Sequence, residues 1–314
     1  MRGSSVDIEK VLESRAALID KEMGLLSFVI EPPELAEVVR YALCQKGKKV
    51  RASLLTISCE AVGGNIAQAL VPAAVMEMIH NTSLVMDDVI DAAETRRGRS
   101  TINHRWGNNM ALIACDALLA LTIRQASKSS SKMTNAIIEC AANSMLSLAE
   151  GEALELVGKD YTLKDYYKIA ERKTASLFSA SAEIGALVGG GTDREIKALG
   201  QYGTSIGIAF QIRDDILDVT ASTDSLGKPT LIDLKMDRPT MIMLLANESG
   251  LTREKMLAMN RDELRDALKP SVARAESLAM EQINNARRHL EAVRPGPSRD
   301  LLYALGDYVL ARGK

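Results

Sequence analysis

The sequence predicts an all-α protein, a single domain over residues 1–314 built from about ten or more helices. Three observations carry this. Ala, Leu, Ile and Met dominate the apolar residues, and they favour helix over strand. Apolar positions recur at helical spacing along most of the chain, and no stretch sustains two-residue alternation between turn signals. Glycine and proline cluster in a few places, so the elements between them run long.

The elements follow in order. Ile8, Val11, Leu12, Ala16, Leu18 and Ile19 mark a first helix, with Asp7 as its cap. Glu31-Pro32-Pro33 breaks the chain, and a new helix starts after it. A helix begun near Val50 ends at Gly63-Gly64-Asn65, and the next runs from Ile66 to about Asp91. Ala92 to Thr101 is polar and basic, with no face to bury, and reads as a loop. Met110 to Arg124 is nearly all apolar, which predicts a helix buried on most sides. Ser127 to Ser131 is a connection. Thr162 and Asp165 resemble a capping box, opening a helix through Lys173 into Ile184. Gly189-Gly190-Gly191 stops it. A further helix covers Asp193 to Val219, and Arg294-Pro295-Gly296-Pro297 precedes the last one.

Of the 314 residues, 46% are hydrophobic and 4% aromatic, so a large core has to be aliphatic. The formal net charge is -2 with both signs interspersed, which leaves no nucleic-acid footprint. Cys44, Cys59, Cys115 and Cys140 are far apart and form no close metal-binding pairs; they read as buried free thiols in a reducing compartment. Met1 to Ser5 is followed by no apolar run of the secretory kind. Met110 to Ile123, interrupted by Asp116, is too short to span a bilayer, so no membrane span is expected and the expected location is cytoplasmic.

Two aspartate clusters carry the chemistry: Asp87-Asp88-Val89-Ile90-Asp91 and Asp214-Asp215-Ile216-Leu217-Asp218. Helix residues four apart lie one above the other, so Asp87 stacks on Asp91 and Asp214 on Asp218. Carboxylates on an otherwise apolar helix repel one another and lose hydration, and a cation has to compensate. Oxygen donors without Cys or His select Mg²⁺ or a similar ion, which completes its shell with phosphate oxygens of a substrate. Cations then stand where a second anion needs them. Lys48, Lys49 and Arg51 flank a helix N-terminus, Arg96 and Arg97 follow the first cluster, and Lys173-Thr174 and Gly227-Lys228-Pro229 come later. Together these groups describe a pocket for two diphosphates, one on metals and one on Arg/Lys forks.

From about Leu43 to Leu245 the ordered motifs resemble those of the trans-isoprenyl diphosphate synthases, the family of the farnesyl, geranylgeranyl and longer polyprenyl diphosphate synthases. The motifs are Gly47-Lys48-Lys49-Val50-Arg51, Ile79-His80, the first cluster with Arg96-Arg97-Gly98, Lys173-Thr174, Gln211 with the second cluster, and Gly227-Lys228-Pro229. The resemblance implies the isoprenoid synthase fold, helices around a central apolar cavity. It implies a Mg²⁺-dependent prenyltransferase that adds isopentenyl diphosphate head-to-tail to an allylic diphosphate. It further implies about three Mg²⁺ ions on the allylic diphosphate, held by Asp87, Asp88, Asp91, Asp214, Asp215 and Asp218. The outer members Asp87, Asp91, Asp214 and Asp218 would be the chief ligands. Arg96, Lys173 and Lys228 would contact that same diphosphate, while Lys48, Arg51, His80 and Arg97 would hold isopentenyl diphosphate. Thr174 and Gln211 would place oxygens toward the allylic cation. A homodimer is implied too, with the Met110–Ile123 helix as a candidate contact.

The chain departs from the family pattern in places. Ala52 stands for a proline and Met86 for a histidine. Asp237-Arg238-Pro239-Thr240-Met241-Ile242 stands for a Gly-Lys-x-Thr-Leu-Pro segment, with Arg238 in the lysine's place. Non-catalytic subunits of heteromeric synthases usually lose one aspartate cluster; both are intact here. Class I terpene cyclases and head-to-head synthases share the bundle, and the Lys48, Arg51 and His80 set argues against both. In the family the positions four and five before the first cluster line the growing chain, and here they are Ser83 and Thr82, both small. Each further helical turn adds about 5.4 Å, roughly one isoprene unit. Ile79, Met78, Met76 and Val75 are therefore the candidates for a floor, and a main product of twenty carbons or more is expected.

Overall fold

The computed structural model describes residues 7–24, 29–45, 47–129, 131–220, 234 and 238–312. Helices dominate: α1 (Ile8–Gly24), α2 (Pro33–Leu43), α3 (Val50–Ala61), α4 (Ile66–Ile90), α5 (Ile102–Trp106), α6 (Asn108–Ala126) and α7 (Ser131–Val157). They continue as α8 (Leu163–Ile169), α9 (Ser176–Val188), α10 (Asp193–Thr220), α11 (Met241–Glu248), α12 (Arg253–Ala258), α13 (Arg261–His289) and α14 (Pro297–Ala311).

Local chemistry sets the helix starts. Asp7 Oδ1 accepts from the Lys10 amide at 3.3 Å, the expected cap of α1. Pro33 opens α2, where its missing amide hydrogen costs nothing. Reciprocal capping boxes open α4 (Asn65 with Gln68), α8 (Thr162 with Asp165) and α13 (Asn260 with Glu263).

Four expectations change. The Ala92–Thr101 loop contains a short antiparallel hairpin, with β1 (Thr95–Arg96) paired to β2 (Arg99–Ser100). Two-residue strands are too brief for alternation to reveal them. The helix through Lys173 is interrupted by a π-helical turn, Ala170–Ala175, between α8 and α9. Helix α6 is not buried on most sides: Leu112, Ile113 and Ile123 are each at least half exposed. It is also longer than its apolar run, because Asp116 does not end it. By length and hydropathy, both α6 and α4 could cross a membrane, although most of α4 is buried inside the protein. Finally, all four cysteines are free thiols, but Cys44 is exposed and Cys140 only half-buried.

Helix α10 lies at the centre and packs on α9 and α13. One apolar cluster joins α4 and α6 with parts of α1, α2, α3, α7 and α9. A second joins α3, α9, α10, α13 and α14, and a third joins α8, α10, α11, α12 and α13. Tyr202 on α10 is buried in the second, and its hydroxyl donates to the Leu302 carbonyl on α14 at 2.7 Å. Helix α9 approaches α10 very closely at Gly203, where a Cβ would stand 2.5 Å from the Phe178 carbonyl oxygen. Backbone cannot yield as a side-chain tip can, so only glycine fits without a shift. Gly203→Ala should therefore lose about 1–3 kcal/mol by overpacking, read as a lower denaturant midpoint at unchanged slope.

Candidate active site

The first aspartate motif sits at a helix C-terminus. Asp87 and Asp88 lie in the last turn of α4, and Asp91 caps it, with its amide bonded to the Asp87 carbonyl at 2.8 Å. Asp214, Asp215 and Asp218 are carried by α10. The negative end of the α4 dipole adds to the first set of carboxylates, so the field there favours cations.

In the first motif the Asp87 carboxyl is pushed up to about 6, chiefly by burial and against the pull of Lys173 and Arg96. Asp88 is buried and accepts from Arg96 Nε at 2.6 Å. Burial still outweighs that guanidinium and holds its pKa above the usual value. Asp91 forms an ion pair with Arg238. In the second motif Asp214 pairs with Arg312 at 2.9 Å. Asp215 accepts from Gln211 Nε2 at 2.9 Å and from the Met241 amide at 2.8 Å. Gln211 Oε1 in turn accepts from the Thr174 hydroxyl at 2.6 Å. A bonded chain thus runs from the π-helical turn through α10 to the start of α11, and the Thr174 and Gln211 oxygens meet each other in it. Asp218 is buried on α10.

Lys173 lies between Glu152, at 2.7 Å, and Glu155, both on α7. Burial alone would lower its pKa, but the two carboxylates overcome this and hold it raised. Beside these groups a cavity of about 870 Å³ opens, lined by Asp91, Glu152, Glu155, Tyr161 and Arg238 among others.

A second set gathers cations around aromatic faces. Arg51 lies over Phe178 at 4.4 Å and Phe210 at 5.6 Å, and its Nη1 is 3.5 Å from His80 Nε2. Burial lowers Arg51 to about 10. Burial, and then the neighbouring Arg51 charge, hold His80 well below its usual value, so the imidazole is neutral at pH 7. Lys48 is 3.0 Å from Glu9 and 4.8 Å from the centre of the Tyr308 ring. Arg97 occupies the hairpin turn with φ 52°. Its guanidinium lies against Gly47, where a Cβ would stand 2.5 Å from Nη1 and the arginine tip would have to shift.

The structure thus places Arg96 on the first motif, Arg51 against His80 with Arg97 within electrostatic reach of both, and Lys48 toward Glu9 and Tyr308. Arg238 reaches Asp91 despite the altered segment around it. Lys228, with Gly227 and Pro229, and Asp237 lie outside the described residues. Val75, Met76, Met78, Ile79, Thr82 and Ser83 are all buried along α4. Thr82 donates to the Met78 carbonyl at 2.8 Å, and its own carbonyl faces Cys115 Sγ on α6 at 4.0 Å. Sequence reasoning missed Glu152, Glu155, Phe178, Phe210, Tyr308 and Arg312. The Glu152–Glu155 spacing, three apart on one helix, was a usable signal; Arg312, near the chain's end, offered none.

Among the described residues, no three carboxylate, thiol or imidazole groups converge to form a preformed metal cage. The donor set still fits Mg²⁺, which takes one or two carboxylates and leaves the remaining positions to water and phosphate. Asp87 is the clearest candidate ligand, because its half-buried carboxylate lacks full compensation from the protein's own cations.

The polyprenyl synthetase family model matches residues 32–275, and the chain belongs to that family. It is a trans-prenyl diphosphate synthase, a transferase of isoprenoid biosynthesis. It is 32% identical to a short chain isoprenyl diphosphate synthase of Methanothermobacter thermautotrophicus, over 98% of this chain and 99% of that one. Geranylgeranyl diphosphate synthase of Methanosarcina mazei is 31% identical, over 96% and 97%. The crystal structure of geranylgeranyl pyrophosphate synthetase from Pyrococcus horikoshii superposes with TM-score 0.89 at 32% identity, covering 98% of each chain. A polyprenyl synthase from Caulobacter crescentus, crystallised with calcium and isoprenyl diphosphate, gives 0.84 at 28% identity, covering 99% of each.

The Asp87 shift has a testable sign. Its ordinary value is 3.8 and its folded value about 6. Between these the folded state keeps a proton that the unfolded chain releases, so this group's contribution to stability falls as pH rises. Asp87→Asn cannot titrate. Without divalent metal, its Tm relative to wild type should rise by several degrees between pH 4 and 6. An unchanging difference across that range would contradict the assignment.

Proposed function

We propose that this chain is a Mg²⁺-dependent synthase that adds isopentenyl diphosphate head-to-tail to an allylic diphosphate and makes chiefly a twenty-carbon product. The observation that carries this reading is the pair of aspartate motifs on α4 and α10, with buried Arg51 beside His80 and within reach of the Asp214 charge. The geranylgeranyl synthases among its relatives support the product length, and the calcium and isoprenyl diphosphate in the Caulobacter enzyme support the site.

Asp87, Asp91, Asp214 and Asp218 would hold the metal, with Asp88 and Asp215 bracing them through Arg96, Gln211 and the Met241 amide. When bound, Mg²⁺ supplies Lewis-acid neutralisation of the departing diphosphate. Arg96, Lys173 and Lys228 bind the oxygens of the allylic diphosphate and favour cleavage of its carbon–oxygen bond. Lys48, Arg51, His80 and Arg97 hold isopentenyl diphosphate so that its double bond faces the allylic carbon. The Gln211 and Thr174 oxygens steady the cation, and apolar walls keep out water that would quench it. A new carbon–carbon bond forms, and the proton lost passes to the released diphosphate. Exposed Leu112, Ile113 and Ile123 on α6, with Leu146 on α7, support a homodimer in which these faces pair. We read the chain as one domain over residues 1–314 and as cytoplasmic.

Purified protein with Mg²⁺, isopentenyl diphosphate and each allylic primer should yield a twenty-carbon diphosphate, read by chromatography; a product ending at fifteen carbons would overturn the length assignment. Asp87→Ala or Asp214→Ala should reduce turnover by orders of magnitude with the fold intact. Activity within about threefold of wild type, under 0.7 kcal/mol in barrier, would rule out the two-motif reaction. Thr82→Phe should shorten the product by at least one unit while turnover persists; unchanged products would place the floor elsewhere.

A further inference from the structure

Lys49 stands between Lys48 and Arg51 and is built unlike either. Its backbone is left-handed, φ 44° and ψ 46°, where it forms the N-cap of α3. A side chain other than glycine's costs on the order of 1 kcal/mol there. Its ammonium is fully buried, 3.4 Å from Glu77 Oε1 and 3.2 Å from Asp20 Oδ1. Glu77 is itself buried on α4, and Asp20 is largely exposed on α1. The Lys49 carbonyl accepts from the Ser53 amide at 2.8 Å, starting the helix that carries Arg51. The conformation of this one residue therefore sets where Lys48 leaves the loop and where Arg51 enters the helix.

Glu77 reaches further than Lys49. After burial, its charge is the largest influence on both Arg51 and Arg97. One buried carboxylate thus sits among three cations that would otherwise repel one another. One helical turn on from Glu77 comes His80, which touches Arg51.

We infer that Glu77 is a positioning residue for the diphosphate of isopentenyl diphosphate: through Lys49 it fixes the left-handed N-cap of α3, and so the placement of Lys48 and Arg51. The inference rests on the assignment of Lys48, Arg51 and Arg97 to that diphosphate. It makes a prediction whose sign is opposite to simple electrostatics. Removing a negative charge beside an anion site tightens anion binding if the charge is a bystander. Removing a positioning group loosens it.

Three variants with full kinetics test this in the intact protein. Glu77→Gln should raise KM for isopentenyl diphosphate about tenfold or more, leave KM for the allylic primer within about twofold, and change kcat little. A fall or no change in KM for isopentenyl diphosphate, or an equal rise for both substrates, overturns the inference. The double variant Lys49→Gly with Glu77→Gln removes the buried ammonium together with its carboxylate partner, and glycine adopts the left-handed conformation unaided. It should return KM for isopentenyl diphosphate to within about threefold of wild type, and it decides the matter if the single variant does not fold. A folded double variant with KM still fully raised overturns the route through Lys49. Arg51→Ala separates the two levels. If it too leaves KM for isopentenyl diphosphate unchanged, the site assignment fails and the inference with it; if it raises that KM while Glu77→Gln does not, only the inference fails.

Discussion

Two clusters of carboxylates set the problem that the rest of this molecule answers. The carboxylates on α4 and α10 are disfavoured by each other, and those at the end of α4 by its helix dipole as well. The protein offsets part of that cost with its own arginines: Arg96 on Asp88, Arg238 on Asp91 and Arg312 on Asp214. These arginines come from the hairpin, from the segment before α11 and from the far end of the chain. The acidic centre therefore ties distant elements together before any substrate binds. The same positive groups stand close to where a diphosphate would add further negative charge. If a divalent metal bound with that diphosphate, the carboxylates would hold the ion and the arginines would be free to meet phosphate oxygens.

Packing serves this charge arrangement. Helix α10 can carry Gln211, Asp214 and Asp215 into the centre because α9 lies against it with only a hydrogen at Gly203 between them. The hydrogen-bonded chain from Thr174 to Met241 then locks the second motif to α11, so Asp215 is spent on positioning. On the other side Phe178 and Phe210 form a floor under Arg51, and Arg312 stacks on Phe210 at 4.0 Å. In a chain this poor in aromatic rings, two of its three phenylalanines are placed beneath guanidinium groups.

Much of this was legible in the sequence, for identifiable reasons. The aspartate motifs, the capping box at Thr162 and the glycine stop at 189–191 are local patterns, and local patterns survive without tertiary knowledge. Glu152 and Glu155 share a helix face by their spacing, but their union with Lys173, like the Arg312–Asp214 pair, joins residues far apart in the chain, and no spacing rule reaches it. The apolar pattern of α6 supports both a core helix and a subunit contact, because hydrophobic periodicity does not distinguish a buried face from an exposed one. The hairpin escaped because its strands are two residues long. The buried Lys49–Glu77 pair was hidden in a run of lysines that otherwise reads as solvated.

The π-helical turn at Ala170–Ala175 works as a phase shifter. A π-turn holds more residues than an α-turn, so α8 and α9 do not share one helical register although they form one continuous rod. Tyr166 before the shift faces the α11–α13 core, while Leu177 and Phe178 after it face the two cores built on α3. The offset falls on Lys173 and Thr174, neighbours in sequence that turn to different partners, one toward α7 and the other toward α10. An unbroken α-helix over the same residues would put Lys173 and Thr174 out of step with one core or the other. The wider turn is thus what lets a single rod bridge two cores and deliver two adjacent side chains to separate tasks.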